Sequence, residues 1–127
     1  AGTGKTFLSL YLSLDDVVRE NAYDRVVIMR SVVPTRDMGF LPGSLKEKIK
    51  IYESPYSAIC SELFSRGDAY ELLKSKGLIE FTTTSYIRGV AYDDCVIIVD
   101  EFQNMSFHEI SSVVTRVGEN AKIVFCG

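Results

Sequence analysis

The first six residues, Ala1-Gly2-Thr3-Gly4-Lys5-Thr6, place two glycines, a lysine and a hydroxyl in a run suited to holding a phosphate. Binding a polyanion through the backbone requires N–H groups that converge, a helix N-terminus, and one long cation to reach the charge. Gly2 and Gly4 let the chain curl, Lys5 can extend toward β and γ phosphates, and the Thr6 hydroxyl suits magnesium. Ala1, Gly2, Thr3, Gly4, Lys5 and Thr6 are therefore the candidate nucleotide-binding set. The pattern GxxxxGK[ST] has one more glycine, which would precede Ala1. The plain alternative is a glycine-rich turn that happens to stand before Lys and Thr; the amphipathic segment that follows favours the phosphate loop.

A second pair of residues complements the first. Hydrolysis of a phosphoanhydride needs a carboxylate near magnesium and a second one to orient or deprotonate the attacking water, both at the carboxyl end of a sheet strand. Asp100 and Glu101 follow the apolar run Cys95–Val99 and satisfy that pattern, with Asp100 as the metal-side carboxylate and Glu101 as base. On its own an acidic pair at a strand end is more often a solvated cap; together with Lys5 and Thr6 it reads as catalytic. Gln103 and Asn104 follow at the same mouth, where an amide can position water or sense a γ phosphate, or can serve as an ordinary turn residue.

These side chains need a scaffold of alternating strands and helices. Phe7, Leu8, Leu10, Tyr11, Leu14, Val17 and Val18 recur at three-to-four spacing, which predicts a helix from Thr6 to about Asn21. RVVIMR (25–30) reads as a buried strand, and residues 31–44, with two prolines and two glycines, as an irregular connection. A helix is expected over 45–65, broken or restarted near Pro55, and a short one over 68–75 that ends at Gly77. LIEFTTT (78–84) and CVIIVD (95–100) are strand candidates, both read as central. Ser106 and Glu109 form a capping box opening a helix to about Val117, stopped by Gly118, and Lys122–Cys126 is the last strand. Such alternation predicts a parallel sheet covered on both faces.

Composition supports one globular domain and excludes several classes. The 127 residues are 46% hydrophobic and 24% charged with a net charge of −3, so no global basic field announces nucleic acid. The three cysteines lack any ligand or CxxC spacing and read as buried apolar residues of a reducing compartment. No run approaches the ~18 apolar residues of a membrane span, and no basic-then-apolar leader opens the chain, so a cytoplasmic location without membrane contact is expected. His108 has no carboxylate or Cys at ligand spacing and receives no role. Because the sequence opens on the loop and closes on KIVFCG, it is expected to be a fragment, truncated at both ends.

In sum these motifs resemble one family. AGTGKT, GFLPGSLKEKI (39–49), SYIRG (85–89), DEFQN (100–104) and TRVG (115–118) occur in the order found in PhoH-like ATPases, whose core is similar to the first motor domain of superfamily 1 helicases. KIVFCG is similar to the strand before that family's GDxxQ motif, and Phe102 stands where a small residue is usual. The resemblance implies a three-layer, RecA-like P-loop NTPase core with a mostly parallel sheet spanning 1–127. It implies ATP and Mg2+ as cofactors, hydrolysis by in-line attack of water, coupling to RNA or other single-stranded nucleic acid, and a homo-oligomeric ring. An alternative is a nucleotide-gated switch or assembly module with slow turnover. Of the arginines it singles out, Arg116 is assigned beside the nucleotide, with Glu101, Lys5 and Gln103 as the other catalytic residues. Arg30 or Arg88 is assigned to a nucleic-acid or subunit contact; an ordinary surface or salt-bridged arginine is the alternative for all three. Phe40, Tyr52, Tyr56 and Tyr86 could stack on bases or pack in the core.

Overall fold

The computed structural model describes residues 2–31, 45–87 and 89–127. Ala1, the GFLPG segment with Phe40, and Arg88 lie outside the described residues, as does nearly all of the connection expected over 31–44.

Helix α1 spans Gly2–Leu14 and continues as a π-helical turn over Asp15–Arg19, then ends near Asn21, which takes a left-handed conformation at φ 52°. The helix begins four residues earlier than the periodicity predicted, so Gly2 to Lys5 are helical rather than curled. From Gly2 onward the segment shares the hydrogen-bonding of the helix it leads into.

Strand β1 (Arg25–Arg30) follows, then α2 (Leu45–Phe64), α3 (Ala69–Ser75), β2 (Ile79–Thr83), β3 (Cys95–Asp100), α4 (Phe107–Val114) and β4 (Lys122–Cys126). The strands form one parallel sheet in the order β2-β1-β3-β4. β3 is buried along its whole length, as a continuous apolar run in a two-sided parallel sheet should be. β2, read as central, is instead an outer strand of the described sheet and shows a mixed burial pattern. Its alternation records a half-covered edge, which a β-branched run cannot by itself distinguish from an interior position.

Strand periodicity sorts the core into two layers. Val26, Ile28 and Ile98 face α1, α2 and α3, where they meet Leu10, Leu14, Tyr56 and Tyr70. Val27, Met29, Ile97 and Val99 face the other way, toward Val113 of α4 and toward Ile87, Tyr92 and Met105. The three layers match the architecture expected from the sequence. All three cysteines are free and buried.

Helix α2 is continuous through Pro55, contrary to the expected break. Proline removes the N–H that would reach the carbonyl four residues back, that of Ile51. Here the Ser54 hydroxyl donates to the Ile51 carbonyl at 3.0 Å and replaces the missing bond. Glu53 on the same helix accepts from the Tyr70 hydroxyl at 2.5 Å and from Lys74 Nζ at 2.9 Å, which fastens α3 to α2. The capping box forms as read: Glu109 N–H donates to Ser106 Oγ at 3.1 Å and Ser106 N–H to Glu109 Oε1 at 3.2 Å.

Candidate nucleotide site

Parallel pairing aligns Thr83, Arg30, Asp100 and Cys126 in one row across the carboxyl rim of the sheet. Asp100 has the parity of Ile98, so its side chain leaves the sheet on the face covered by α1 and α2. There Thr6 Oγ1 donates to Asp100 Oδ1 at 3.0 Å, joining residues 94 positions apart in a buried contact. The Tyr56 hydroxyl of α2 donates to the second oxygen, Oδ2, at 2.6 Å. Burial, reinforced by the neighbouring carboxylate, pushes the Tyr56 hydroxyl far above its ordinary range, so it remains a proton donor.

A cleft of about 410 Å³ opens beside this contact, bordered by Thr6, Arg30, Asp100 and Glu101 and by the α2 stripe Pro55, Ala58, Ile59 and Glu62. The stripe recurs at three-to-four spacing, so one face of α2 forms the wall. Arg30 lies with its guanidinium 5.5 Å from the centre of the Tyr52 ring, which holds the arginine at the rim.

Glu101 reaches the same cleft by a change of backbone direction. It adopts φ 54° and ψ 39°, a left-handed conformation uncommon for a residue with a Cβ, and so swings out of the strand's alternation. The following turn, Phe102–Asn104, returns two amides to it. Gln103 Nε2 donates to Glu101 Oε2 at 2.7 Å and Asn104 Nδ2 to the same oxygen at 3.5 Å.

Lys5 is exposed and does not border the cleft, although its neighbour Thr6 does. Gly2 and Thr3 belong to the first turn of α1, and a Cβ built on Gly4 would meet no atom within 4 Å. Arg116 is an expected site residue that the fold carries to the other end of the sheet. Its carbonyl accepts from Tyr92 N–H at 2.9 Å, before β3 begins, because α4 carries the chain back to the amino end of the sheet. That puts the whole of β3, about 16 Å for a six-residue strand, between it and Asp100. Its Nε is buried and has no hydrogen-bond partner among the described residues. Gly118 of the same segment is favoured by close approach, since a Cβ there would sit 2.9 Å from the Tyr92 backbone carbonyl oxygen.

Sequence reasoning placed Tyr56 among stacking or packing residues and did not pair it with Asp100. The available signal was general: a tyrosine on the buried face of a helix needs a partner for its hydroxyl. Glu62 was also missed, as a charge on an otherwise apolar stripe.

Two oxygen donors of the hard type that magnesium prefers, the Thr6 hydroxyl and the Asp100 carboxylate, thus stand within a hydrogen bond of each other. No cluster of three metal-binding side chains occurs among the described residues, and magnesium does not need one, since it keeps waters and phosphate oxygens as ligands. The residues present fit the ion.

A three-layer parallel α/β core that joins a GKT threonine to the carboxylate ending a central strand is of the P-loop NTPase type. The family model described as PhoH-like protein matches residues 1–127, and this chain belongs to the PhoH-like family. Among curated proteins it is 39% identical over 131 residues to "Protein PhoH2" of Bacillus subtilis, covering all of this chain and 30% of that protein. It is 32% identical over 129 residues to "Protein PhoH" of Escherichia coli K12, covering all of this chain and 36% of that protein. A "PhoH-like protein" of Bacillus subtilis is 34% identical over 129 residues, with 40% of its length covered. The chain thus spans well under half the length of these relatives.

Proposed function

We infer that the chain binds ATP with magnesium and hydrolyses it by attack of water at the γ phosphate. The observation that carries this reading is the buried hydrogen bond from Thr6 to Asp100, which joins the end of the phosphate-binding run to a carboxylate on the sheet rim. Thr6 and Asp100 would hold the magnesium, which neutralises charge on the phosphate oxygens when bound. Lys5, one residue before Thr6 and exposed, is free to swing onto the β and γ phosphates. Glu101 Oε orients the attacking water and takes its proton, and Gln103 holds the carboxylate in place from the exposed side. Arg116 takes no part at this cleft within one copy of the chain.

Energy from hydrolysis is coupled to RNA or another single-stranded nucleic acid, with Arg30, which borders the same cleft, as the described arginine assigned to that contact. The intact protein is a homo-oligomeric ring and works in the cytoplasm. No described helix is long and apolar enough to cross a membrane. The engagement of Glu101 by two amides supports a second reading, a nucleotide-gated assembly module in which the base is held out of action and turnover is slow.

Glu101→Gln tests the chemistry: ATP binding is retained and hydrolysis is abolished, whereas retained hydrolysis would remove Glu101 as base. Rates measured with and without single-stranded RNA separate the two readings, since the motor is stimulated and the switch is indifferent.

A further inference from the structure

We propose that Tyr56 is a positioning residue for Asp100, assigning the two carboxylate oxygens separate duties. This rests on the reading of Asp100 as the magnesium-side carboxylate. Both oxygens already accept a hydrogen bond: Oδ1 from Thr6 at 3.0 Å and Oδ2 from Tyr56 at 2.6 Å. The two donors differ in kind. Thr6 belongs to the phosphate-binding run and borders the cleft, so Oδ1 is the oxygen on the ligand side. Tyr56 is 1% exposed, and its ring is tilted against Phe81 of β2 with centroids 5.8 Å apart, so its hydroxyl is held by packing on a helix outside that run.

A carboxylate turns about its terminal torsion in a broad well, so one bond at Oδ1 leaves its plane loosely defined. A second, short bond to a rigid phenol defines it. With Oδ2 engaged by Tyr56, Oδ1, which Thr6 already meets, is the oxygen facing the phosphate side. Helix α2 thereby acquires a link to the nucleotide: its cleft-facing stripe forms the wall, and the residue next to Pro55 sets the angle of the metal-side carboxylate.

The competing explanation is that Tyr56 is a core residue whose hydroxyl takes Asp100 as the nearest acceptor. The two differ in what magnesium does for nucleotide affinity. The affinity of a fluorescent ATP analogue is measured in excess EDTA and in saturating Mg2+, on wild type, Tyr56→Phe and Phe81→Leu, together with melting temperatures and ATPase rates. Tyr56→Phe keeps the ring and is expected to bind the analogue in EDTA as wild type does. It should lose roughly ten-fold of the gain in affinity brought by Mg2+, the size of one hydrogen bond to a charged group. Phe81→Leu loosens the same ring without touching the hydroxyl, and should lower the melting temperature while leaving the Mg2+ gain intact.

An unchanged or larger Mg2+ gain in Tyr56→Phe overturns the proposal, as does an equal loss in Phe81→Leu, which would make packing the cause. If wild type binds the analogue with a Mg2+ gain but does not hydrolyse ATP, the hydrolytic reading fails and the positioning role stands on the binding data. If wild type shows no Mg2+ gain, both fall.

Discussion

Glu101 combines a proposed chemical role with a backbone conformation that its residue type disfavours, and the two are separable by substitution. At φ 54° a residue with a Cβ costs on the order of 1 kcal/mol, whereas asparagine visits this region readily. Glu101→Asn and Glu101→Ala both remove the carboxylate, and with it the exposed hydrogen bond from Gln103 Nε2 at 2.7 Å, a loss of about 0.5 kcal/mol at an exposed site. Only the asparagine relieves the backbone. The expected change is a gain of about 0.5 kcal/mol for asparagine and a similar loss for alanine, a spread of about 1 kcal/mol. For a domain of this length that corresponds to roughly 4 °C in melting temperature. Thermal melts followed by circular dichroism, with both variants and wild type in one buffer, resolve such a spread. On the proposed role of Glu101 both variants should be inactive as ATPases, so activity and stability are expected to move apart in the asparagine variant and fall together in the alanine variant. Equal melting temperatures for the two variants would show that the left-handed turn at Glu101 stores no strain, and would refute the reasoning.

Other substitutions probe neighbouring features. Gly4→Ala meets no steric obstacle in α1 and should stabilise the fold by about 0.5 kcal/mol, as alanine replaces glycine in a helix. It should also weaken ATP binding by ten-fold or more; calorimetric titration showing wild-type affinity would exclude a curled, phosphate-bound form of residues 2–5. Glu109 carries a pH dependence of stability. Burial would raise its carboxyl, but hydrogen bonds from Ser31, Thr84 and Ser106 outweigh burial and hold it below its ordinary value of 4.5. A depressed folded-state value stabilises the fold above that pH, and the benefit fades as pH falls through the folded value. The melting-temperature advantage of wild type over Glu109→Gln should therefore persist from neutral pH to about 4.5 and close below it; a gap constant down to the lowest pH at which the protein stays folded would contradict this.

Much of the scaffold was legible because its signals are local. The β-branched runs of β1, β3 and β4, the Ser106–Glu109 box, and Gly77 with its φ of 71° each depend on a few adjacent residues. The meeting of Thr6 with Asp100 was legible for another reason: each belongs to a motif whose chemistry requires the other. What escaped depends on neighbours distant in sequence or on one well-placed atom. The Ser54 hydroxyl that carries α2 past Pro55 is an ordinary surface serine until its direction is known. The outer position of β2 follows from strand order, which no single strand encodes. Arg116 was assigned by motif, whereas its place follows from the length and return path of α4, which delivers the TRVG segment to the opposite rim.

A parallel sheet has no hairpins, so each pairing between its strands waits for a long stretch of intervening chain. The bond from Thr6 to Asp100 closes a loop of 94 positions, and the row that carries it is complete only when β3 lies beside β1. Ordering so long a loop makes such sheets slow to assemble. During synthesis Thr6 therefore leaves the ribosome well before Asp100, and the nascent chain cannot present the joined pair. On the proposed function, a nucleotide that requires both halves would stabilise only molecules in which the central sheet has already closed, and ATP would select finished molecules over partly assembled ones.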